Sequence, residues 1–211
     1  MSIECWQYGT GEGYPILYMH GATPMPFSDG LAQVIKENNL RVLEVLRPGY
    51  GKSGMLKYKS VGEYAKALNG LVAKLELARF DTLGVSAGAP YAYALAALYP
   101  EMVGRVHICG GIPLDCYKDI YGMNSAPERF MFSLSRVLPA GFIGKYAVSA
   151  MEAMEKKAGW KPHICGESMD QMFDNYVRPN WQGIGWSTHV QYKGWGFDPG
   201  KITCPVQIYY S

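Results

Sequence analysis

A chain of 211 residues that is 48% hydrophobic and 18% charged carries material for one sizeable core and holds no disordered or low-complexity tract. Its formal net charge of +2 comes from interspersed Lys, Arg, Asp and Glu without a basic stripe, which removes the nucleic-acid-binding class. The five cysteines are widely spaced, odd in number and free of any CxxC pair, and neither a leader-like amino terminus nor a membrane-length apolar run is present, so a soluble cytoplasmic protein with reduced thiols is expected.

In chain order, Pro15 to His20 and Arg41 to Leu46 are short apolar runs that end at glycine or proline, as buried strands do. Between them, Leu31, Val34 and Ile35 recur at helical spacing within Phe27 to Asn39. Ser60 with Glu63 three residues on forms a capping box, and Val61, Tyr64, Ala65, Leu68, Leu71, Val72 and Leu75 predict one helix with one buried face. Asp81 to Val85 reads as a strand, Ala89 to Tyr99 as a helix and Val103 to Cys109 as a strand. Alternation of this kind predicts an α/β fold, a mostly parallel central sheet flanked by helices.

From about Leu114 to Phe197 apolar strands give way to helical stretches rich in Met, Phe, Tyr and Trp. One opens with a second capping box at Ser125 and Glu128, with Pro127 in its first turn. Another runs from about Phe142 to Lys157 and stops at Gly159, and a third around Met169 to Val177 ends before Pro179. Ile202 to Tyr210 then resumes the sheet. The expected organisation is a core over 1–113, an inserted helical cap over 114–197 and a return to the sheet over 198–211.

Gly84-Val85-Ser86-Ala87-Gly88 fits G-x-S-x-G and lies directly after a predicted strand and before a predicted helix. Such a turn forces the serine into an unfavourable backbone conformation, requires small flanking residues and projects the hydroxyl outward. The helix that follows aims free N–H groups and its positive dipole end at the place where an oxyanion forms, with the Ala87 N–H as first donor. The plainer reading is a tight turn that holds an indifferent serine. Three features side with chemistry: His20-Gly21 closes a central strand, so that the loop from Ala22 offers a second donor; Arg47 to Ser53 closes the next; and the cap enters where a lid over Ser86 belongs.

Through "HGATP" (His20 to Pro24), "RPGYGKS" (Arg47 to Ser53), "GVSAGAPYAYALAALYP" (Gly84 to Pro100) and "FDPGKITCPVQIYY" (Phe197 to Tyr210), the sequence resembles the α/β-hydrolase fold superfamily. The resemblance implies a serine hydrolase with Ser86 as nucleophile and the Ala87 and Ala22 amides as oxyanion donors. It implies a small-molecule substrate, no metal and no organic cofactor. The superfamily often has HG-x-P, whereas here Thr23 separates Ala22 from Pro24. Carboxylesterase is the leading activity, with aminopeptidase and carbon–carbon bond hydrolase behind it. A serine at the elbow disfavours the dehalogenase and epoxide-hydrolase branches, whose nucleophile is aspartate.

A serine hydroxyl needs a histidine to take its proton and a carboxylate to orient that histidine. The chain order Ser, acid, His places both partners, with one more strand and a closing helix, beyond Ser211. The 211 residues are therefore expected to be the front portion of a longer protein and nearly inert alone. Asp115 is an alternative acid and His189 an alternative base. His20 is assigned to the oxyanion-loop motif, His107 to a strand and His163 to the cap, and Asp198 to a turn. The rival class is a non-catalytic ligand receptor or scaffold on the same fold.

"GYGKSG" lacks the first glycine of a phosphate loop, and "GTGEG" leads into a strand, so neither is read as a nucleotide site. Arg47 is expected to anchor neighbouring backbone or a carboxylate rather than an anionic substrate. Of the cap residues Phe130, Phe142, Met151, Met154, Trp160, Met172, Phe173, Trp181 and Trp186, most are expected to pack the cap and a minority to line an apolar pocket.

Overall fold

The computed structural model describes residues 2–111, 126–158 and 168–210. Six strands form one sheet in the order β1-β3-β2-β4-β5-β6: β1 (Cys5–Gly9), β2 (Tyr14–Met19), β3 (Leu40–Val45), β4 (Phe80–Val85), β5 (Val103–Cys109) and β6 (Val206–Tyr209). Every pairing is parallel except β1 on β3. The central strands read as nearly continuous apolar runs because helices cover both faces. Leu17, Met19, Leu43, Val45, Val106 and Ile108 share a core with helices α2 (Val61–Ala67) and α4 (Ala89–Leu98). The opposite face buries Tyr18 and Val42 under Ile35 of α1 (Asp29–Glu37).

Sheet order has a consequence for function. The chain leaves β2 toward β3 on one side, then returns past β2 to β4 and continues outward to β5. The carboxyl ends of β2 and β4 therefore flank a topological switch point, the crevice where open α/β sheets bind ligands.

Several expectations are corrected. The helix predicted from Ser60 to Leu75 forms as α2 and a second piece, α3 (Asn69–Lys74), interrupted at Leu68 just before Asn69 and Gly70, both weak helix formers. Its capping box is displaced: Ser60 Oγ accepts from the Glu63 N–H, while the Glu63 carboxylate accepts from the Lys59 N–H. In α1 only Ile35 is buried, because this nine-residue helix touches the sheet along a narrow line that leaves Leu31 and Val34 in solvent. The last strand begins at Val206, since Asp198 instead caps a short turn and Pro205 only accepts from the Val106 N–H. Strand β1 was not foreseen.

Between β5 and β6 lie α5 (Ala126–Val137), α6 (Ala140–Ala158), α7 (Met169–Met172) and α8 (Trp181–Gln191). The segment read as a helix over Met169 to Val177 is α7 followed by one wide turn, Phe173–Val177. Helix α8 carries no apolar stripe, and its glycines explain why: a Cβ placed on Gly185 would sit 2.8 Å from the Gly144 nitrogen of α6, and one on Gly183 would sit 2.8 Å from the Gly49 carbonyl carbon, so two backbones approach it closely. The capping box at Ser125 and Glu128 lies outside the described residues and side chains.

Candidate active site

Strand β4 ends at Val85, and the chain turns through Ser86–Gly88 directly into α4, with Pro90 in the first helical turn. Ser86 takes φ +49°, the left-handed region that a side-chain-bearing residue enters at a cost of about 1–3 kcal/mol. Packing imposes this. A Cβ on Gly84 would sit 2.7 Å from Ala89 Cα, and one on Gly88 would sit 2.7 Å from both the His20 carbonyl oxygen and the Met19 carbonyl carbon. Helix α4 is thus pressed onto β4 and onto the end of β2, and the small residues Ala89, Ala92 and Ala96 keep it there. Ser86 itself is half-buried, and no described residue hydrogen-bonds its hydroxyl.

The loop after β2 closes on the same point. Met19 pairs with Gly84 across the sheet, and a Cβ placed on Gly21 would lie 3.6 Å from Ser86 Cβ. Ala22 follows immediately and is exposed, whereas Ala87 is buried and its carbonyl accepts a 2.7 Å hydrogen bond from Gln191 Nε2 of α8. The three residues singled out from sequence, Ser86, Ala87 and Ala22, are gathered at the switch point.

Beneath this loop lies Arg47, fully buried and with no carboxylate partner among the described residues. Its guanidinium donates to the His20 carbonyl through Nη1 and to the Gly21 carbonyl at 2.6 Å through Nη2, and it is held between the rings of Tyr50 and Tyr91 at 5.0 and 4.9 Å. The anchoring of neighbouring backbone expected of Arg47 is what the structure shows. His20 is also fully engaged. Its Nε2 accepts from the Arg47 N–H at 3.2 Å, so the proton resides on Nδ1, which donates to the Gly21 carbonyl at 3.0 Å. Burial, reinforced by the neighbouring guanidinium, drives the His20 pKa well below 6.5 and keeps the ring neutral.

The other histidines stand elsewhere. His107 in β5 faces Asp81 at 3.4 Å and stacks on Tyr209, and His189 bonds the Ser135 carbonyl at 2.7 Å and rests near Trp186. Asp115 and His163 lie outside the described residues. Asp198 serves its own turn through the Gly200 N–H. Among the described residues no group of three His, Cys, Asp or Glu is placed to hold a metal, and no helix is long and apolar enough to cross a membrane.

Sequence reasoning missed the side chains that bind α8 to the turn at Ser86. Tyr58, Tyr91 and Ser187 are linked hydroxyl to hydroxyl at 2.9 Å each, and Gln191 Nε2 reaches Ser187 Oγ as well as the Ala87 carbonyl. Ser187 and Gln191 stand four residues apart, on one side of the helix, which is the signal the sequence offers. The loop Arg47 to Ser53 is tied down as well, with the Gly51 N–H donating to Asn180 Oδ1 at 2.8 Å just before α8 and the Lys52 N–H to Glu4 just before β1. Amides that a phosphate would need are already occupied.

Among the described residues, two cavities of about 540 Å³ lie along the helices between β5 and β6. One is bounded by Trp181, Trp186 and His189 with Met55 of the core, the other by Phe142, Tyr146, Met151 and Met154 of α6. Met172 and Phe173 instead pack with Leu46 and Tyr50 of the loop after β3. Phe130 and Trp160 lie outside the described side chains. Ser86 lines neither cavity.

No family model matches the chain. A 97-residue stretch is 30% identical to an uncharacterized hydrolase, YcgS, of Bacillus subtilis, covering 46% of this chain and 34% of that protein. A 72-residue stretch is 42% identical to a 2-hydroxy-6-oxononadienedioate/2-hydroxy-6-oxononatrienedioate hydrolase of a Pseudomonas species, covering 34% of this chain and 25% of that one. The matched stretches thus span about a third and a quarter of these curated relatives. Among solved structures, one from a study of carboxylesterases of Nitrososphaera gargenis superposes with a TM-score of 0.65 at 13% identity, covering 98% of this chain and 75% of the other.

Proposed function

The chain has the α/β-hydrolase fold, and on that premise we propose that it is a serine hydrolase acting on a small, apolar ester or amide. Ser86 Oγ adds to the substrate carbonyl carbon while its proton passes to a histidine. The Ala87 and Ala22 amides hold the oxyanion so formed. Collapse of the tetrahedral adduct expels the alcohol or amine, which leaves with that proton, and water then cleaves the acyl-Ser86 ester. The base and the acid that orients it come from outside the described residues, because His20, His107 and His189 are each committed to other partners.

The observation that carries this reading is the strained φ of Ser86 at a half-buried strand-to-helix turn, with the Gly21 Cβ position 3.6 Å from its own Cβ. A device costing stability is retained where it aims a hydroxyl. Carboxylesterase activity leads. The 42% identical stretch shared with the dienedioate hydrolase favours carbon–carbon bond hydrolysis beside a ketone as the second enzymatic reading. A non-catalytic receptor is the rival from another class, favoured by the lack of a base beside Ser86 among the described residues. Incubation with p-nitrophenyl butyrate and a fluorophosphonate separates them: the hydrolase turns over the ester and is modified at Ser86, whereas the receptor does neither.

A further inference from the structure

We infer that Arg47 is a positioning residue which aims the Ala22 amide at the oxyanion, an inference that rests on the serine-hydrolase reading above. The Gly21 carbonyl and the Ala22 N–H belong to one planar trans peptide, so they point in opposite directions, and whatever fixes the carbonyl fixes the amide. Arg47 Nη2 and His20 Nδ1 both donate to that carbonyl, at 2.6 and 3.0 Å, and Arg47 Nη1 holds the carbonyl of the preceding peptide. Two consecutive peptides are locked by one planar fork, a grip that an ammonium point donor does not reproduce. The fork lies in the buried interior beneath the loop, so the Ala22 N–H is turned away from it, toward the exposed side on which Ala22 stands.

Energetics favour this role over a purely structural one. Arg47 is fully buried, Nε has no hydrogen-bond partner, and no carboxylate pairs with it among the described residues. Burying a cation on such terms is costly, and well-packed apolar residues commonly serve stability better. Full burial also removes Arg47 from direct contact with substrate. What the arrangement does supply is a loop whose donors need no reorganisation when negative charge develops. Sandwiching between Tyr50 and Tyr91 fixes the guanidinium plane, and Tyr91 continues through Ser187 and Gln191 to the Ala87 carbonyl, so the network also grips the peptide immediately after the one that carries the Ala87 amide.

The test compares the full-length wild type with Arg47→Lys and Arg47→Met, using p-nitrophenyl butyrate turnover and the p-nitrophenol burst to count competent sites. A donor that acts only in the transition state is worth about 100-fold to 1,000-fold in kcat. Both variants are expected to lose on the order of 100-fold in kcat per titrated site with KM changed less than about twofold. A merely structural role lowers the burst amplitude and leaves kcat per site at the wild-type value, which overturns the inference while the Ser86 reading stands. If the wild type itself shows neither burst nor turnover, the Ser86 reading falls and this inference falls with it.

Discussion

Glu44 provides a test of the core that is independent of any substrate. It is fully buried on β3, opposite Trp6 of β1 and Tyr18 of β2. One carboxyl oxygen accepts from Tyr8 at 3.3 Å and the other has no partner. Burial raises its pKa from 4.5 to about 8, against smaller lowering effects of the Tyr8 hydrogen bond and of Arg47. A raised carboxyl is neutral in the folded chain while the unfolded chain is already ionised, so stability is fully present below pH 4.5 and declines as pH rises toward 8. Each pH unit in that window costs about 1.4 kcal/mol, which places the total on the order of several kcal/mol, comparable with the whole net stability of a domain. Glu44→Gln keeps the shape and removes the ionisation. Urea unfolding at half-unit steps from pH 5 to 9 should show the variant gaining on the wild type throughout the window and levelling off above pH 8. Parallel stability curves for the two proteins would refute the reasoning, because they would mean that Glu44 titrates alike in the folded and unfolded chains.

Ser86→Gly should abolish fluorophosphonate labelling yet raise stability by about 0.5–1 kcal/mol in urea unfolding, since glycine adopts φ +49° without strain. Gly88→Ala should cost about 1–3 kcal/mol, because the new methyl meets backbone atoms of Met19 and His20 that have nowhere to go, and labelling of Ser86 should slow in the folded fraction. Cys5, whose pKa is raised to about 11 by burial and secondarily by Glu44, should react with iodoacetamide at a rate that climbs about tenfold per pH unit through pH 10 when its peptide is followed by mass spectrometry.

What the sequence disclosed, and what it did not, divides along physical lines. Strands β2 to β5 were legible because a strand covered on both faces is rich in apolar residues and each of these ends in a chain-breaking loop. The elbow was legible because G-x-S-x-G restricts side-chain size at its two glycine positions, and both prove to touch backbone or Ala89. Strand β1 escaped because Cys5–Gly9 lies at the sheet edge, where polar Gln7 is tolerated in solvent. Helix α8 escaped because its fit depends on glycines rather than on an apolar stripe. The bond from Gln191 to the Ala87 carbonyl joins residues 104 positions apart, and no local pattern encodes such a pairing. The same holds for the Arg47 fork. Its identity suggested an anchor, but only the folded chain shows that the anchored groups are the two peptides that lead to Ala22.

Whether Ser86 is a nucleophile is read most directly by intact-mass spectrometry after fluorophosphonate treatment. The prediction is a single adduct on the full-length protein, localised by peptide mapping to Ser86 and absent from Ser86→Ala. An unmodified protein, or an adduct that persists in Ser86→Ala, would contradict it.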